Sequence, residues 1–357
     1  MITLTGPEHM RQRKLLLPPF HGERMREYEQ VIVQATRHST VQWPLGAPMR
    51  VAERTRAITL EVILRAVFGV EAERMQQLRD AIGGLLEPVN TPALLLYALR
   101  RPTGERPGGS IGRALDRLDA VIYQEIERRR GEADLHERVD VLSLLLLARD
   151  EQDQAMTDVE LRDELVSLLL AGHETTATAV AWAIERLVRH PEKLRRLVAE
   201  IDADTSEEYL QAVVHETLRV RPVVPLVVRL LREPLQVGGR LLPAGTRVVP
   251  SIYLVNRNPR VYDAPAEFRP ERFLVHEGGR DVNPYAWIPF GGGIRRCIGA
   301  SFAMLEMKLM LRTVLGELTP SLPAGTRRSS ARGERNRRRA ITLVPSAGAR
   351  VVWHSRA

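Results

Sequence analysis

Cysteine is almost absent from the sequence: Cys297 is the only one among 357 residues. A single thiol excludes an intramolecular disulfide and any zinc or iron–sulfur site built from cysteines alone. It also fits a protein of a reducing compartment. If this thiol has a chemical function, it acts without a second cysteine.

Lysine, aromatic residues and long apolar runs are also scarce. Three of the 52 basic residues are lysines, the formal net charge is +8, and 5% of the residues are aromatic. Carboxylates are interspersed among the arginines, as on both sides of the arginines in residues 125–132 (EIERRRGE), so the charge does not indicate nucleic-acid binding. The longest apolar runs, 141–148 and 165–171, are much shorter than a membrane span. With no signal peptide at the visible start, we expect a cytoplasmic protein without a transmembrane segment.

Apolar residues recur at spacings of three and four from residue 7 to about 315, which predicts successive helices. The predicted helices span 6–16, 22–38, 51–68, 71–86, 112–130, 139–151, 157–190, 208–220 and 300–315. A loop rich in proline and glycine, 100–110, lies between two of them and could serve as a lid.

Short β-rich segments follow the helical part, at 227–231, 235–237, 246–251, 340–344 and 350–353. The pattern predicts a mainly α chain with small β-sheets, an α+β fold. Residues 256–293 form a long irregular segment, and such segments inside a compact domain are usually functional. Length alone leaves one or two domains open.

The predicted helix 157–190 begins with a capping box, Thr157 to Glu160, and ends before Pro191. Its apolar face is interrupted by residues 171–176 (AGHETT). Polar side chains in the middle of a buried helix need partners or a chemical purpose. By itself this pattern fits a polar patch facing water equally well.

The cysteine lies in Phe290 to Gly299 (FGGGIRRCIG), directly before a predicted helix. The glycines permit a tight turn and the close approach of a flat ligand. A helix N-terminus favours a thiolate, and Arg295 can pair with an anionic group. A lone cysteine is most often an inert buried residue, but this setting favours a thiolate that binds one metal ion from one side.

This stretch resembles the F-x-x-G-x-R-x-C-x-G signature of the cytochrome P450 family, and every fixed position is filled. The resemblance implies haem b whose iron is bound by the thiolate of Cys297. It further implies that Arg295 pairs with a haem propionate and that Phe290 packs beside the sulfur. Gly293 and Gly299 would leave room for the loop and the macrocycle.

Residues 171–176 are similar to the A/G-G-x-D/E-T motif of the family's oxygen-activating helix. The resemblance implies that Ala171 lines the haem pocket and that Gly172 leaves space for O2. Glu174 would relay protons from solvent, and the Thr175 hydroxyl would hydrogen-bond the oxygen being activated.

Two further sets of residues resemble the family. His9 and Arg13 share one helical face and, with Arg229, resemble the family's propionate-binding residues. Glu216 and Arg219 lie one helical turn apart, as in the family's E-x-x-R motif. With Arg272 they would form a structural network that fixes the coil carrying Cys297. Outside the family context, such pairs are common on protein surfaces.

The implied function is a monooxygenase that inserts one oxygen atom of O2 into a hydrophobic substrate. No G-x-G-x-x-G fingerprint follows a predicted strand, so a ferredoxin or flavodoxin with its reductase would supply electrons. Arg11 and Lys14, with the arginines near Cys297, would form a basic face for an acidic partner. The apolar residues 223–228 would line the substrate pocket. His173 and His215 show no metal-binding spacing and are expected to be structural.

The resemblance covers residues 6 to about 352, starting at the propionate-binding helix. Family members carry further helices and sheet-edge strands before that helix. We therefore expect one P450 domain over 1–357 that lacks this portion, with an open cavity and exposed strand edges. A truncated gene product, a late start assignment and a trimmed chain all fit.

Two rival functions remain. A peroxide-using or isomerising haem-thiolate enzyme would share Cys297 but would not need the pair Glu174 and Thr175. The other rival is an inactive haem-binding or haem-free remnant.

Overall fold

The computed structural model describes residues 1–22, 24–69, 72–89, 108–279, 283–326 and 333–356. Most of these residues are helical. The helices are α1 (Gly6–Leu16), α2 (Arg24–Thr40), α3 (Val51–Phe68), α4 (Ala72–Val89), α5 (Gly109–Arg130), α6 (Val141–Leu147), α7 (Asp158–Arg189), α8 (Pro191–Ala203), α9 (Glu208–Val220), α10 (Ile252–Val255) and α11 (Ala300–Glu317).

Small antiparallel sheets accompany the helices, which confirms the α+β prediction. The strands are β1 (Pro48–Arg50), β2 (Arg229–Leu230), β3 (Leu235–Val237), β4 (Arg240–Leu242), β5 (Arg247–Val248), β6 (Leu318–Ser321), β7 (Asn336–Arg339), β8 (Thr342–Pro345) and β9 (Arg350–Ser355). Within the described residues β9 lies between β1 and β6, with Met49 opposite Val351 and Pro320 opposite Trp353. The other sheets pair β2 with β5, β3 with β4, and β7 with β8.

Helix α7 runs through the core, packed along α3, and starts as the sequence predicts. Thr157 Oγ1 accepts from the Glu160 backbone N–H at 3.2 Å, and the Glu160 carboxylate accepts from the Thr157 backbone N–H at 2.8 Å. Pro191 ends α7 but also begins α8, a helix that the patterns did not predict. Proline suits the first position of a helix because no intrahelical acceptor awaits its missing N–H.

Several predicted boundaries were wrong. The predicted helix 139–151 is only α6, because the chain leaves the helix at Ala148 and the Asp150 carboxylate accepts the backbone N–H groups of Gln152 and Gln154. The predicted strand 340–344 contains the tight turn of the β7–β8 hairpin, where Ala340 has φ of 48°. Of the predicted loop 100–110, residues 100–107 lie outside the described part and residue 109 begins α5.

No helix in the described part of the chain is both long enough and apolar enough to cross a membrane.

Candidate functional site

Cys297 is presented by a tight loop before α11. Its backbone N–H donates to the Phe290 carbonyl at 2.9 Å and closes the loop. Gly291 and Gly293 have φ of 70° and 64°, values that favour glycine. A Cβ added to Gly293 or Gly299 would meet no other described atom within 4 Å, so free space lies beside the loop. The loop therefore holds one thiol beside an open region at a helix N-terminus.

The Cys297 side chain is accessible on this open side, while protein surrounds it on the others. Desolvation by that surrounding protein raises the pKa of the thiol. The Gly299 backbone N–H and the charges of Arg296 and Arg13 act in the opposite direction. A metal cation bound on the open side would deprotonate such a thiol outright.

A cluster of positive side chains lies next to the cysteine loop. The pKa of Arg295 is lowered by burial and by the charges of Arg229 and Arg13. Within the described residues none of these three arginines has a carboxylate partner; they donate to backbone carbonyls, as Arg13 does to Arg296 at 2.9 Å. A bound anion would balance this uncompensated positive charge.

His9 of α1 adds to the same cluster. It is 2% exposed, and its Nδ1 has no hydrogen-bond partner among the described atoms. Burial, followed by the charges of Arg295 and Arg13, lowers the pKa of His9. Three arginines and an unsatisfied imidazole fit the two propionates of a haem b group. With the single thiol of Cys297 as iron ligand, the residues present fit haem b.

The centre of α7 presents one face to open space. Ala171 is exposed and Thr175 half-buried, and the Thr175 hydroxyl donates to the Ala171 carbonyl at 2.7 Å. On the opposite side, Thr55 and Thr59 of α3 donate to the α7 carbonyls of Ala177 and His173, at 3.0 and 2.7 Å. These threonines fix α7 against α3.

Gly172 requires a correction to the interpretation made from sequence. A Cβ at this position would lie 2.9 Å from Cδ1 of Ile63 in α3. The missing side chain thus allows the close packing of α7 on α3, and the space at Gly172 is filled by Ile63.

Glu174 lies between two arginines that the sequence patterns did not identify. Its Oε1 is 3.9 Å from Arg56 Nη1 and 3.7 Å from Arg339 Nε, and it accepts no hydrogen bond from a described residue. Burial raises the pKa of Glu174, and the charges of Arg339 and Arg56 oppose this shift. No local signal could have revealed these partners, since α3 and β7 meet α7 only in the folded chain.

Glu216, Arg219 and Arg272 meet in the buried interior. The Arg219 guanidinium donates twice to the Glu216 carboxylate, at 2.7 and 2.8 Å, and both residues are 0% exposed. Arg272 Nε donates to Glu216 Oε1 at 3.1 Å, as the Arg269 backbone N–H does at 2.7 Å. The remaining Arg219 protons bond the carbonyls of Asn256, Pro265 and Glu267. The network thus ties α9 to the irregular segment that leads to Cys297.

An aromatic stack that the sequence patterns missed supports the same segment. Trp287 packs against Phe290, with ring centroids 6.1 Å apart, and against His215, at 4.6 Å. Trp287 Nε1 donates to the His215 carbonyl at 3.1 Å. Burial lowers the pKa of His215, and that of His173, to about 4, so both rings are neutral at pH 7.

The basic face expected from Arg11 and Lys14 is reduced. Arg11 pairs with Asp150 and Glu160, and Lys14 pairs with Glu151. These ion pairs tie α1 to the first turn of α7 and to the chain just before it, and they neutralise both cations.

Comparisons with known proteins show which family this chain resembles. The sequence profile of the cytochrome P450 family matches residues 1–337. Cytochrome P450 137 of Mycobacterium tuberculosis is 43% identical over 355 residues, which covers 98% of this chain and 72% of that protein. Cytochrome P450 135B1 of Mycobacterium bovis is 40% identical over 359 residues, which covers 98% of this chain and 73% of that protein.

Solved structures share the fold. A cyanobacterial P450, CYP120A1 with retinoic acid bound, superposes with a TM-score of 0.82 at 27% identity, covering 99% of this chain and 80% of that one. The haem domain of cytochrome P450DA gives 0.81 at 24% identity, covering 97% and 77%. Family members bind haem b through a cysteine thiolate, and this chain has a single cysteine. The chain therefore belongs to the cytochrome P450 family of haem-thiolate monooxygenases.

Proposed function

We propose that this chain hydroxylates a hydrophobic small molecule with O2, using electrons from a separate redox protein. The observation that carries this proposal is the juxtaposition of a single accessible thiol, Cys297, with arginines that lack a counter-anion. When bound, thiolate-ligated haem supplies the activation of O2 with two electrons and two protons.

The chain's own residues position the cofactor. Cys297 would bind the iron, while Arg13, Arg229, Arg295 and His9 would bind the propionates. Phe290 packs against the aromatic stack and stiffens the loop that carries the thiol. Stiffness matters because a ligand displaced by a fraction of an ångström binds the metal less well.

Glu174 and Thr175 are proposed to act in proton transfer. The Thr175 hydroxyl already donates to Ala171 and can turn its lone pairs toward an incoming proton donor. Glu174 lies between Arg56 and Arg339, and its Oε1 accepts no hydrogen bond from a described residue, so we assign to this carboxylate the relay of protons from solvent. This acid–alcohol pair disfavours the peroxide-using and isomerising alternatives.

The pocket wall favours an apolar substrate. Ala171 is exposed on α7, and Leu226 and Val228 are 45% and 52% exposed. Apolar walls gain binding free energy by removing hydrocarbon surface from water. The retinoic acid in the cyanobacterial structure is a ligand of the same hydrophobic class.

A ferredoxin or flavodoxin with its reductase is the proposed electron donor, in the cytoplasm. With Arg11 and Lys14 paired internally, the proposed contact is the surface of the cysteine loop. Arg296 is exposed there, and Ile294 is 63% exposed. An apolar centre beside a cation suits a transient docking site for an acidic partner.

The decisive experiment is the absorption spectrum of the reduced, CO-bound protein reconstituted with haem b. We expect a Soret band at the position typical of thiolate ligation, because Cys297 is accessible beside a cationic cluster. Absence of haem uptake would contradict the proposal and favour the inactive-remnant alternative.

Thr175→Ala is expected to uncouple electron consumption from product formation once a substrate is identified. Without the hydroxyl, proton delivery loses a positioned donor, and such groups typically contribute about 10²-fold. We expect product formation to fall by about that factor while electron consumption from the redox partner continues and hydrogen peroxide accumulates. Thr175→Ser is the matched control because it keeps a hydroxyl within reach of Ala171. Unchanged coupling in the alanine variant would rule out the assigned role.

A further inference from the structure

Two arginines flank the carboxylate of Glu174 at a distance longer than a hydrogen bond. Glu174 Oε1 is 3.9 Å from Arg56 Nη1 and 3.7 Å from Arg339 Nε, and it has no hydrogen-bond partner among the described atoms. Glu174 is 9% exposed, and a buried polar atom in a native protein normally has a partner. A separation above about 3.5 Å leaves the partner's place to a bridging water.

Arg56 is held on α3 by the threonines on either side of it. Thr55 and Thr59 donate to carbonyls of α7 at 3.0 and 2.7 Å. These two bonds bracket Arg56 along the helix. They therefore fix the backbone of Arg56 relative to the part of α7 that carries Glu174.

Arg339 is held by the β7–β8 hairpin, of which it is the last residue before the turn. The Thr342 hydroxyl donates to the Arg339 carbonyl across the turn at 2.8 Å. The hairpin is in turn tied to α7, because Trp182 Nε1 of α7 donates to the Leu343 carbonyl of β8 at 2.9 Å. Both arginines thus come from elements that are hydrogen-bonded to the helix of Glu174.

Both arginine side chains are more exposed than the carboxylate that they flank. The side chains of Arg56 and Arg339 are 27% and 25% exposed, and that of Glu174 is 12% exposed. An arginine stays protonated in proteins and cannot pass a proton on, so protons must move through water here. A water that accepts from both guanidinium groups and donates to Glu174 Oε1 would make about three hydrogen bonds, as buried waters typically do. It can give one proton to the carboxylate and take one from solvent.

We propose that Arg56 and Arg339, with one ordered water beside Glu174 Oε1, form the entrance through which protons from solvent reach Glu174. This inference rests on the proposed function, in which Glu174 relays protons. Arg56 and Arg339 are positioning residues, because they act through the water and the Glu174 carboxylate.

The charges of the two arginines also act on the carboxylate. Burial raises the pKa of Glu174, and the charges of Arg339 and Arg56 oppose this shift. Removing either charge should therefore raise the pKa of Glu174. Three further groups on the same elements interact with the arginines: Glu53 of α3, which pairs with Arg50, Arg337 of β7, and His173 of α7, which is neutral at pH 7.

A high-resolution crystal structure of the full chain tests the water. We expect an ordered water within hydrogen-bond distance of Glu174 Oε1, Arg56 Nη1 and Arg339 Nε. A direct hydrogen bond from either arginine to Oε1 in place of this water would overturn the proposal.

Infrared difference spectroscopy tests the action of the arginines on Glu174. The carbonyl band of its protonated form is the band that Glu174→Gln removes. Arg56→Gln and Arg339→Gln should each raise the midpoint of this band by about one pH unit or more, because a neighbouring opposite charge lowers a carboxyl pKa by about 1–3 units. Arg339→Lys keeps the charge and should keep the midpoint near that of the parent.

Each arginine has a matched control on its own element. Arg54 of α3 and Arg338 of β7 are exposed, and neither acts on the pKa of Glu174. Arg54→Gln and Arg338→Gln should therefore leave the midpoint unchanged. An unchanged midpoint in both Arg56→Gln and Arg339→Gln would overturn the positioning role.

The link to the reaction is tested with haem-loaded protein and an identified substrate. Arg339→Gln should lower the fraction of consumed electrons recovered in product severalfold while the CO-bound Soret band stays unchanged. Adding Arg339→Gln to Glu174→Gln should cause no further loss, because the arginine acts through Glu174. Additive losses would overturn the proposed entrance. A chain that takes up no haem would contradict the proposed function, whereas the crystal and infrared results would still decide the site at Glu174.

Discussion

Replacing Cys297 with alanine is expected to abolish the thiolate Soret band of the reduced, CO-bound protein completely. The expected effect is total because the chain contains no second cysteine that could supply a thiolate. The arginine cluster and His9 remain in this variant, so some haem can still associate through its propionates. Any residual absorption should therefore correspond to haem without thiolate ligation.

Two matched variants sharpen this test. Cys297→Ser keeps a side chain of similar shape but replaces the sulfur with oxygen, and it should also lose the band. Ile294→Ala alters an exposed side chain of the same loop, 63% exposed, and should retain the band. A thiolate band that survives in Cys297→Ala would refute the assignment of the ligand.

Glu216→Gln is expected to destabilise the folded protein by about 3–5 kcal/mol, because it leaves the Arg219 guanidinium buried without its counter-charge. Both side chains are 0% exposed, so water cannot replace the lost partner. Haem content should fall in parallel, since the network holds the segment that carries Cys297. The measurement is denaturant-induced unfolding of the haem-loaded protein, followed by haem absorbance and tryptophan fluorescence.

The chain offers a matched control for this change. Arg50 and Glu53 form an ion pair of the same spacing on the surface, with side chains 62% and 56% exposed. Glu53→Gln should cost at most about 1 kcal/mol, because exposed pairs contribute little. Equal costs for the two substitutions would mean that the buried network does not stabilise the fold as described.

The features that were predictable from sequence are those encoded locally. The capping box at Thr157 and Glu160 needs only four neighbouring residues, and the structure contains it as predicted. The spacing of Glu216 and Arg219 likewise places both side chains on one helical face before any tertiary contact exists. Arg272 is distant in sequence from both residues, and only the resemblance to the family predicted it as the third member of the network.

Features that depend on two distant segments were not predictable. The environment of Glu174 is created by Arg56 and Arg339, and neither residue carries a local signal. Gly172 was interpreted from its motif as space for a ligand, whereas Ile63 of α3 fills that space. In each case tertiary packing decides the environment of a side chain.

The close approach of Gly172 to Ile63 has a consequence for engineering the substrate range. Enlarging residue 172 would press on the Ile63 side chain of α3, in the stretch where Thr55 and Thr59 of α3 donate to carbonyls of α7. Position 171, one residue earlier, faces the open side, so a larger side chain there would narrow the cavity and leave the helix pair in place. A library that varies residue 171 with residue 172 held as glycine would thus sample pocket shapes on an intact scaffold.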